Sequence, residues 1–379
     1  MSKHPLTIDW HITQRCNQTC KHCYAACEQF QGEIGTQETA KIIDKILSLK
    51  NDFNIKVTLT GGEPLLRADV FEIASSLSEN NVPISLTTNG MLVQKNIDKI
   101  INSGIMQIQV SIDGMRSVHN YLRGSNTFDS AIHALRLLKK EHLLPSVMTT
   151  VNGYNFKQVP EIIVLVRGMN IPLLGIQRFV PTGRGADLKN LALTPENCGD
   201  LMEYIMSKKE ELKDEICIVT PDPLRILIDR REAAGCPIGN NILALTPSGD
   251  MLPCCKLPTS LGNIISQNFH EAWNSKLMDT LRGGHDLKGK CGHCEHREIC
   301  RGCRGAAYAA YGDYFAEDPQ CWLRLLTKRP FPKIACSAKF LHILKLHVHK
   351  PPAVKLVQNL RRLNMKTHRI APFFNFAYK

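Results

Sequence analysis

Cys16, Cys20 and Cys23 stand at C-x3-C-x2-C spacing near the start of the sequence. A cubane iron–sulfur cluster is normally held by four thiolates. A local trio leaves one iron open, and an open iron can bind a small molecule and do chemistry, whereas a fully ligated cluster mainly stores or passes electrons. Cys27 is a possible fourth ligand. A zinc site or unrelated thiols are the other readings of the trio.

Further along, Thr60-Gly61-Gly62-Glu63-Pro64 follows an apolar, β-rich run. Two glycines let backbone approach a ligand closely, and the Glu63 carboxylate can accept from an ammonium group. A plain strand–turn–helix junction explains the same residues. Thr87-Thr88-Asn89-Gly90 and Ser111-Ile112-Asp113-Gly114 follow two more such runs, with Arg123 twelve residues after Ser111. A guanidinium donates two parallel hydrogen bonds and so suits a carboxylate. Asn152 and Gln177 are polar residues at the ends of later runs.

Thiols return past residue 235. Cys236 is followed by twelve residues, Gly249, four residues and Cys254. Then come Cys291-x2-Cys294-x5-Cys300-x2-Cys303 and, last, Cys321. Seven thiolates are too many for one cubane and nearly enough for two; a zinc ribbon is the alternative. Of 15 cysteines, Cys27, Cys198, Cys217, Cys255 and Cys336 remain outside these groups. Several of those five are expected to be buried small apolar side chains. The first residues lack an apolar signal-peptide core, so reduced, metal-binding thiols are expected rather than a disulfide framework.

The trio resembles the signature of the radical S-adenosylmethionine (radical SAM) enzymes, and Gly61-Gly62-Glu63-Pro64 resembles that family's GGEP element. The resemblance implies that the open iron chelates the amino and carboxylate groups of the SAM methionine. An electron from the cluster then cleaves the sulfonium to give a 5′-deoxyadenosyl radical. It implies that Gly61, Gly62, Glu63 and Pro64 bind the methionine amine, partly through backbone. Ser111 would contact the ribose and Arg123 the SAM carboxylate, with Asn89 and Asp113 in the same cofactor-binding set. The later cysteines are similar to the seven-cysteine SPASM extension. On that pattern Cys291, Cys294, Cys300 and Cys321 complete one auxiliary cluster. Cys236, Cys254 and Cys303 hold another nearer the active site, its fourth position open or bound by a substrate group. The implied cofactors are three 4Fe-4S clusters, one SAM-binding and two auxiliary, together with SAM.

Two departures bear on substrate. Cys300 and Cys303 are two residues apart, where several SPASM maturases have three, and the run resembles the heme-pathway branch. Cys255 stands where sulfatase-maturing relatives place a proton-accepting aspartate, which disfavours that role. The function expected first is an oxidoreductase that modifies a peptide or protein, with auxiliary clusters taking the electron. The alternative is a tetrapyrrole or other small-molecule enzyme resembling the decarboxylases of alternative heme synthesis. A non-catalytic electron-transfer protein would have no need of the SAM-binding elements. The loop from Arg178 to Gly185 is expected to present Arg178 and Arg184 to a peptide backbone, a carboxylate or propionates. Expected partners are a flavodoxin- or ferredoxin-type electron donor and a separate peptide-recognition partner, since only about a dozen residues precede the trio. Oxygen sensitivity follows from an open iron.

Short β-rich runs alternate with amphipathic stretches from residue 7 to about 230, which predicts a parallel sheet with helical crossovers. The strands expected are Leu6–Ile12, Lys56–Leu59, Ile84–Thr87, Gln107–Ser111, Leu144–Val151 and Leu174–Phe179, with helices such as Thr36–Leu49 and Asp129–Glu141. The family resemblance implies an α/β (β/α)6 partial TIM-type barrel with functional groups at the carboxyl ends of its strands. The organisation expected is a barrel over 1–230, a small cysteine-rich domain over 231–321 and a basic extension over 322–379. The net charge of +12 comes from that extension, which holds thirteen Lys and Arg and no Asp or Glu. It is read as a solvated extension or a surface for an acidic partner; no nucleic-acid module accompanies it. No apolar run is long enough to span a bilayer, so a cytoplasmic protein is expected.

Overall fold

The computed structural model describes residues 3–26, 32–230 and 235–323. Cys27, Cys336 and the basic extension from residue 324 onward lie outside the described residues.

Strands β1 (His4–Thr13), β2 (Phe53–Gly61), β3 (Ile84–Thr88), β4 (Gln107–Ser111), β5 (Leu144–Val151) and β6 (Leu173–Arg178) pair in parallel, each with the next. Helices α1 (Thr36–Ser48), α2 (Val70–Glu79), α3 (Val93–Asn102), α4 (Arg116–Arg123), α5 (Thr127–Lys140) and α6 (Val159–Gly168) fill the crossovers. Helix α7 (Pro195–Glu211) leads to β7 (Cys217–Val219), parallel on β6. At the other edge β8 (Ile242–Leu245) lies parallel on β1, and β9 (Met251–Leu252) antiparallel on β8. The order β7-β6-β5-β4-β3-β2-β1-β8-β9 does not close on itself, so the barrel is partial, as expected. The cysteine-rich part adds four short helices, α8 (Phe269–Trp273), α9 (Lys276–Gly283), α10 (Gly289–Gly292) and α11 (Arg304–Tyr311).

The patterning explains the layers. In β1, Leu6, Ile8, Trp10 and Ile12 are fully buried on one face, while Asp9 between them lines the central cavity. Successive strand side chains point to opposite faces, so one strand serves both core and site. Helix α1 buries Ile42, Ile43 and Ile46, and α5 buries Ala131, Ile132, Leu135 and Leu138, the one-sided stripe a covering helix needs. Burying each such Leu or Ile contributes about 1.5–3 kcal/mol.

All six expected strands form. The largest change is the second, which runs Phe53–Gly61 instead of Lys56–Leu59. β8 and β9 come from beyond residue 231, so the cysteine-rich part continues the barrel's own sheet at its β1 edge. Trp322, grouped with the basic extension by charge, is buried against Gly199 of α7; a Cβ on Gly199 would sit 3.1 Å from the indole.

The expectation for Arg178 is corrected. Gln177 and Arg178, successive on β6, both border the cavity, but the Arg178 guanidinium is taken up by its own chain. Its guanidinium pairs with Asp222 and Asp318 at 2.5 Å each and donates to Gln320 Oε1 at 2.9 Å. All four side chains are buried. Asp318 also accepts from the Cys303 backbone N–H at 2.7 Å, so the ion pair ties the end of β6 to a thiol of the second set. Arg178 is therefore committed to its own chain and is not offered to a substrate acid. Arg178→Met would leave two buried carboxylates without their cation and is expected to lower unfolding free energy by about 3–5 kcal/mol. Denaturant unfolding of the apoprotein checks this; Arg178→Met combined with Asp222→Asn and Asp318→Asn should recover part of the loss.

Candidate active site

Residues 14–26, which carry the cysteine trio, form no helix or strand. Their backbone groups must find partners elsewhere, and several barrel elements supply them. Gly62 N–H donates to Thr13 O and Glu63 N–H to Arg15 O, both at 2.8 Å. Lys21 N–H donates to Leu122 O at 2.9 Å, and Gly185 N–H to Cys23 O at 3.3 Å. Arg184 Nη1 donates to Cys20 O at 2.9 Å. The expectation for Arg184 changes accordingly: it holds the thiol loop, although it still borders the cavity.

The glycines of the Gly61-Gly62-Glu63-Pro64 run are needed for this docking. A Cβ on Gly61 would lie 2.2 Å from Thr13 O, and one on Gly62 would lie 2.2 Å from Arg15 O and 2.5 Å from Gln14 O. Gly61 also has φ +130°, a conformation that side chains other than glycine's disfavour. Glu63 is fully buried and is not among the cavity-lining residues. Its carboxylate accepts from the Thr88 hydroxyl at 2.8 Å, from Asn89 N–H at 2.8 Å and from Leu65 N–H at 3.2 Å. Burial raises its pKa to about 7 despite those donors. Pro64 opens the short turn behind it. The end of β2 is thus clamped to the end of β3, where Asn89 lines the cavity and donates through Nδ2 to Asn17 of the thiol loop at 2.7 Å.

The end of β4 follows the same division. Ser111 and Arg123 line the cavity; Asp113 is buried behind them. Asp113 accepts from His22 Nε2 at 2.8 Å, Arg123 Nε at 2.5 Å and Thr150 N–H at 2.7 Å. Burial alone would raise its pKa, yet Arg123 and His22 hold it well below the usual carboxylate range. Asp113 therefore aims Arg123, whose Nη1 lies 3.9 Å from Cys20 Sγ, and fixes the thiol loop through His22. Asn152 is fully buried and turns its Oδ1 back onto Tyr154 N–H at 2.8 Å.

The sulfurs fall into two cavities. Cys16, Cys20 and Cys23 line a cavity of about 670 Å³ together with Cys236, Cys254, Cys255 and Cys303. Cys291, Cys294, Cys300 and Cys321 line another of about 350 Å³. Backbone N–H groups point at all seven later sulfurs: Lys256 at Cys254 (3.5 Å), Asp318 at Cys291 (3.3 Å), His296 at Cys294 (3.3 Å), Gly302 at Cys300 (3.4 Å) and Ala306 at Cys303 (3.4 Å), with Ile238 at Cys236 and Leu323 at Cys321. Such donors stabilise thiolate sulfur and tune a cluster. Among the described residues no three His, Cys, Asp or Glu are gathered as ligands of a single metal ion. Several thiols lining one cavity, with backbone N–H groups on the later set, are the donor set that cubane clusters require.

Burial pushes Cys20, Cys303 and Cys321 up to about 11, in spite of Arg123 near Cys20, Arg178 near Cys303 and Lys290 near Cys321. These thiols hold their protons at neutral pH until metal displaces them. Cluster loading of apoprotein is therefore expected to rise as pH increases from about 7 to about 9, read as bound iron and sulfide. Gly62→Ala should load the second cysteine set normally but lose the cluster of the trio, because backbone at Gln14 and Arg15 cannot yield 2 Å-scale overlaps. Iron counts and the spectrum of the reduced protein check that separation.

His22, Lys256, Asp222 and Asp318 are contributors that sequence reasoning did not single out. His22 lies inside the trio's own spacing, which was the available signal; the others have none in one sequence.

Models of known families match two stretches: the radical SAM superfamily over residues 10–166 and the SPASM iron–sulfur cluster-binding domain over 236–304. An AdoMet-dependent heme synthase of Methanosarcina barkeri is 31% identical over 86% of this chain and 98% of its own length. A mycofactocin maturase of Mycobacterium tuberculosis is 27% identical over 76% of each chain. The crystal structure of Streptococcus suis SuiB bound to its precursor peptide superposes with a TM-score of 0.67 at 16% identity, covering 80% of this chain and 72% of that one, a likeness of fold. Among the described residues no helix is long and apolar enough to cross a membrane. With these matches and the paired cysteine cavities on one open α/β barrel, the chain belongs to the radical SAM enzymes and, within them, to the SPASM-domain group.

Proposed function

We propose that this enzyme abstracts hydrogen from a carboxylate-bearing tetrapyrrole and passes the resulting electron to an auxiliary cluster beside the substrate. The observation that carries this reading is the shared cavity: the trio and Cys236, Cys254 and Cys303 open into one space. When bound there, a cluster on the trio and SAM would supply a 5′-deoxyadenosyl radical. Cys16, Cys20 and Cys23 would hold that cluster. The exposed backbone at Gly61 and Gly62, with Asn89, Ser111 and Arg123, would hold SAM. Glu63 and Asp113 act from behind as positioning residues: Glu63 fixes Asn89, and Asp113 turns the Arg123 fork toward the cavity. Cys236, Cys254 and Cys303 would hold the nearer auxiliary cluster. Cys291, Cys294, Cys300 and Cys321 would hold the farther one, making three with the SAM-binding cluster. An external low-potential protein would supply the first electron. A barrel over 1–230 and a cysteine-rich unit over 231–321 remain our division of the chain, with β8 as their shared seam.

The cavity floor suits a polar substrate. Thr58, Thr87, Gln109, Thr150 and Gln177 come inward from successive strands and present neutral hydroxyls and amides. The tetrapyrrole reading is favoured over a peptide for two reasons. The heme synthases resemble this chain along nearly their whole length, and the Cys300-x2-Cys303 spacing is that branch's. Peptide maturation remains the second reading because maturases are also similar over three-quarters of the chain.

Anaerobic reconstitution tests the core of the proposal. About twelve irons per chain are expected, falling to about eight when Cys16, Cys20 and Cys23 are all changed to Ala, with formation of 5′-deoxyadenosine abolished. About four irons with SAM cleavage retained would remove the auxiliary clusters from the account. Incubation of the reduced holoenzyme with SAM and iron coproporphyrin III should release carbon dioxide; its absence, with SAM cleaved, would favour the peptide reading.

A further inference from the structure

We propose that Lys256 anchors a carboxylate of the substrate, which makes this side chain a determinant of specificity for organic acids. The proposal rests on the tetrapyrrole reading above and names the contact it requires.

Among the described residues, three of the five Arg and Lys side chains that line the cavity are paired with carboxylates. Arg123 is held by Asp113, Arg178 by Asp222 and Asp318, and Arg15 by Glu33. Arg184 is exposed at the rim and holds the Cys20 carbonyl. The Lys256 amine, half-buried, donates to a neutral acceptor, Gln177 Oε1 at 2.9 Å, and among the described residues no carboxylate pairs with it. Gln177 in turn donates to the Thr150 hydroxyl at 3.1 Å. Asp9 lines the same cavity and feels the amine's field without an ion pair or hydrogen bond to it. A lysine ammonium is strongly hydrated, and withdrawing it from water without a counter-charge is unfavourable. A substrate carboxylate arriving at the barrel mouth would supply that charge and make a charge-assisted hydrogen bond.

The backbone beneath Lys256 is fixed, as an anchor requires. Cys254 and Leu257 close a tight turn, with Leu257 N–H on Cys254 O at 2.9 Å and Leu257 fully buried. Gly305 packs so closely that a Cβ there would meet Lys256 Cβ at 2.8 Å and its carbonyl oxygen at 2.9 Å. The side chain therefore crosses from the cysteine-rich part to β6 along a set path. It ends beside Gln177, in the cavity shared by both sets of thiols. A carboxylate gripped there holds its neighbouring carbons between the two sets. The rival role for the same charge is electrostatic support of the nearby Cys254 and Cys303 sulfurs.

The test compares two probes on the anaerobically reconstituted full chain: iron coproporphyrin III, and its tetramethyl ester, which keeps the shape and loses the acids. Binding is read by absorbance titration for native protein, Lys256→Met and Lys256→Arg. The native chain is expected to bind the acid at least about tenfold more tightly than the ester, the scale of one charge-assisted contact. Lys256→Met should lose that preference while retaining native iron and sulfide content, and Lys256→Arg should restore most of it. Two results overturn the proposal and leave the tetrapyrrole reading standing. One is equal binding of acid and ester by native protein. The other is undiminished acid preference in Lys256→Met, with or without a shift in the auxiliary clusters' reduction potentials. Binding of neither probe by native protein overturns the tetrapyrrole reading, and this proposal with it.

Discussion

A chain segment that carries three metal-binding thiols and forms no regular structure must borrow all its order from its surroundings. Residues 14–26 do so from the carboxyl ends of the barrel strands. Gly62 and Glu63 after β2 hold its entry, Asn89 after β3 holds Asn17, Asp113 after β4 holds His22, and Gly185 and Arg184 after β6 hold its exit. A parallel barrel gathers these ends on one rim. The radical-generating site is therefore a property of the rim as a whole, and each strand end contributes a contact that fixes a sulfur as well as any contact to cofactor.

The second constraint is electrostatic. Buried carboxylates and guanidiniums are stable only as complete sets, and removing one member leaves a charge that nothing solvates. The set around Arg178 spans the chain from β6 to the segment between α11 and Cys321. Because Asp318 also receives the Cys303 N–H, the same interaction that fastens the cysteine-rich part to the barrel places a sulfur at the shared cavity. β8, hydrogen-bonded along β1, fastens the other side. Two independent attachments hold the two sets of thiols at a fixed separation.

Against that background the cavity sorts its polar residues into two kinds. Glu63 and Asp113 are ionisable but fully buried and saturated by neighbours, so they shape the wall. Asn89, Ser111, Arg123, Gln177 and Lys256 are exposed to the cavity, so they meet what enters it.

Much of this was legible in the sequence. The strand–helix alternation fixed the fold class, since only a parallel sheet accommodates it. Thiol spacing pointed to metal, and its resemblance to the radical SAM and SPASM patterns implied iron–sulfur rather than zinc, because these are local patterns that survive without coordinates. Resemblance implied a grouping of the seven into sets of four and three; four of them line one cavity, and the other three line the second together with the trio and Cys255. The tertiary structure alone decided which motif residues face the cavity: Gly61, Gly62, Ser111 and Arg123 do, while Glu63, Pro64 and Asp113 stand behind it. It also reassigned Arg178 from substrate to scaffold, because its partners Asp222 and Asp318 lie 44 and 140 positions away in sequence. The same holds for Lys256, whose reach to Gln177 depends on a turn clamped by Gly305. Local spacing encodes the ligands of a metal; the partners of a buried charge are set by the whole fold, because only the fold determines which distant side chains share its low-dielectric surroundings.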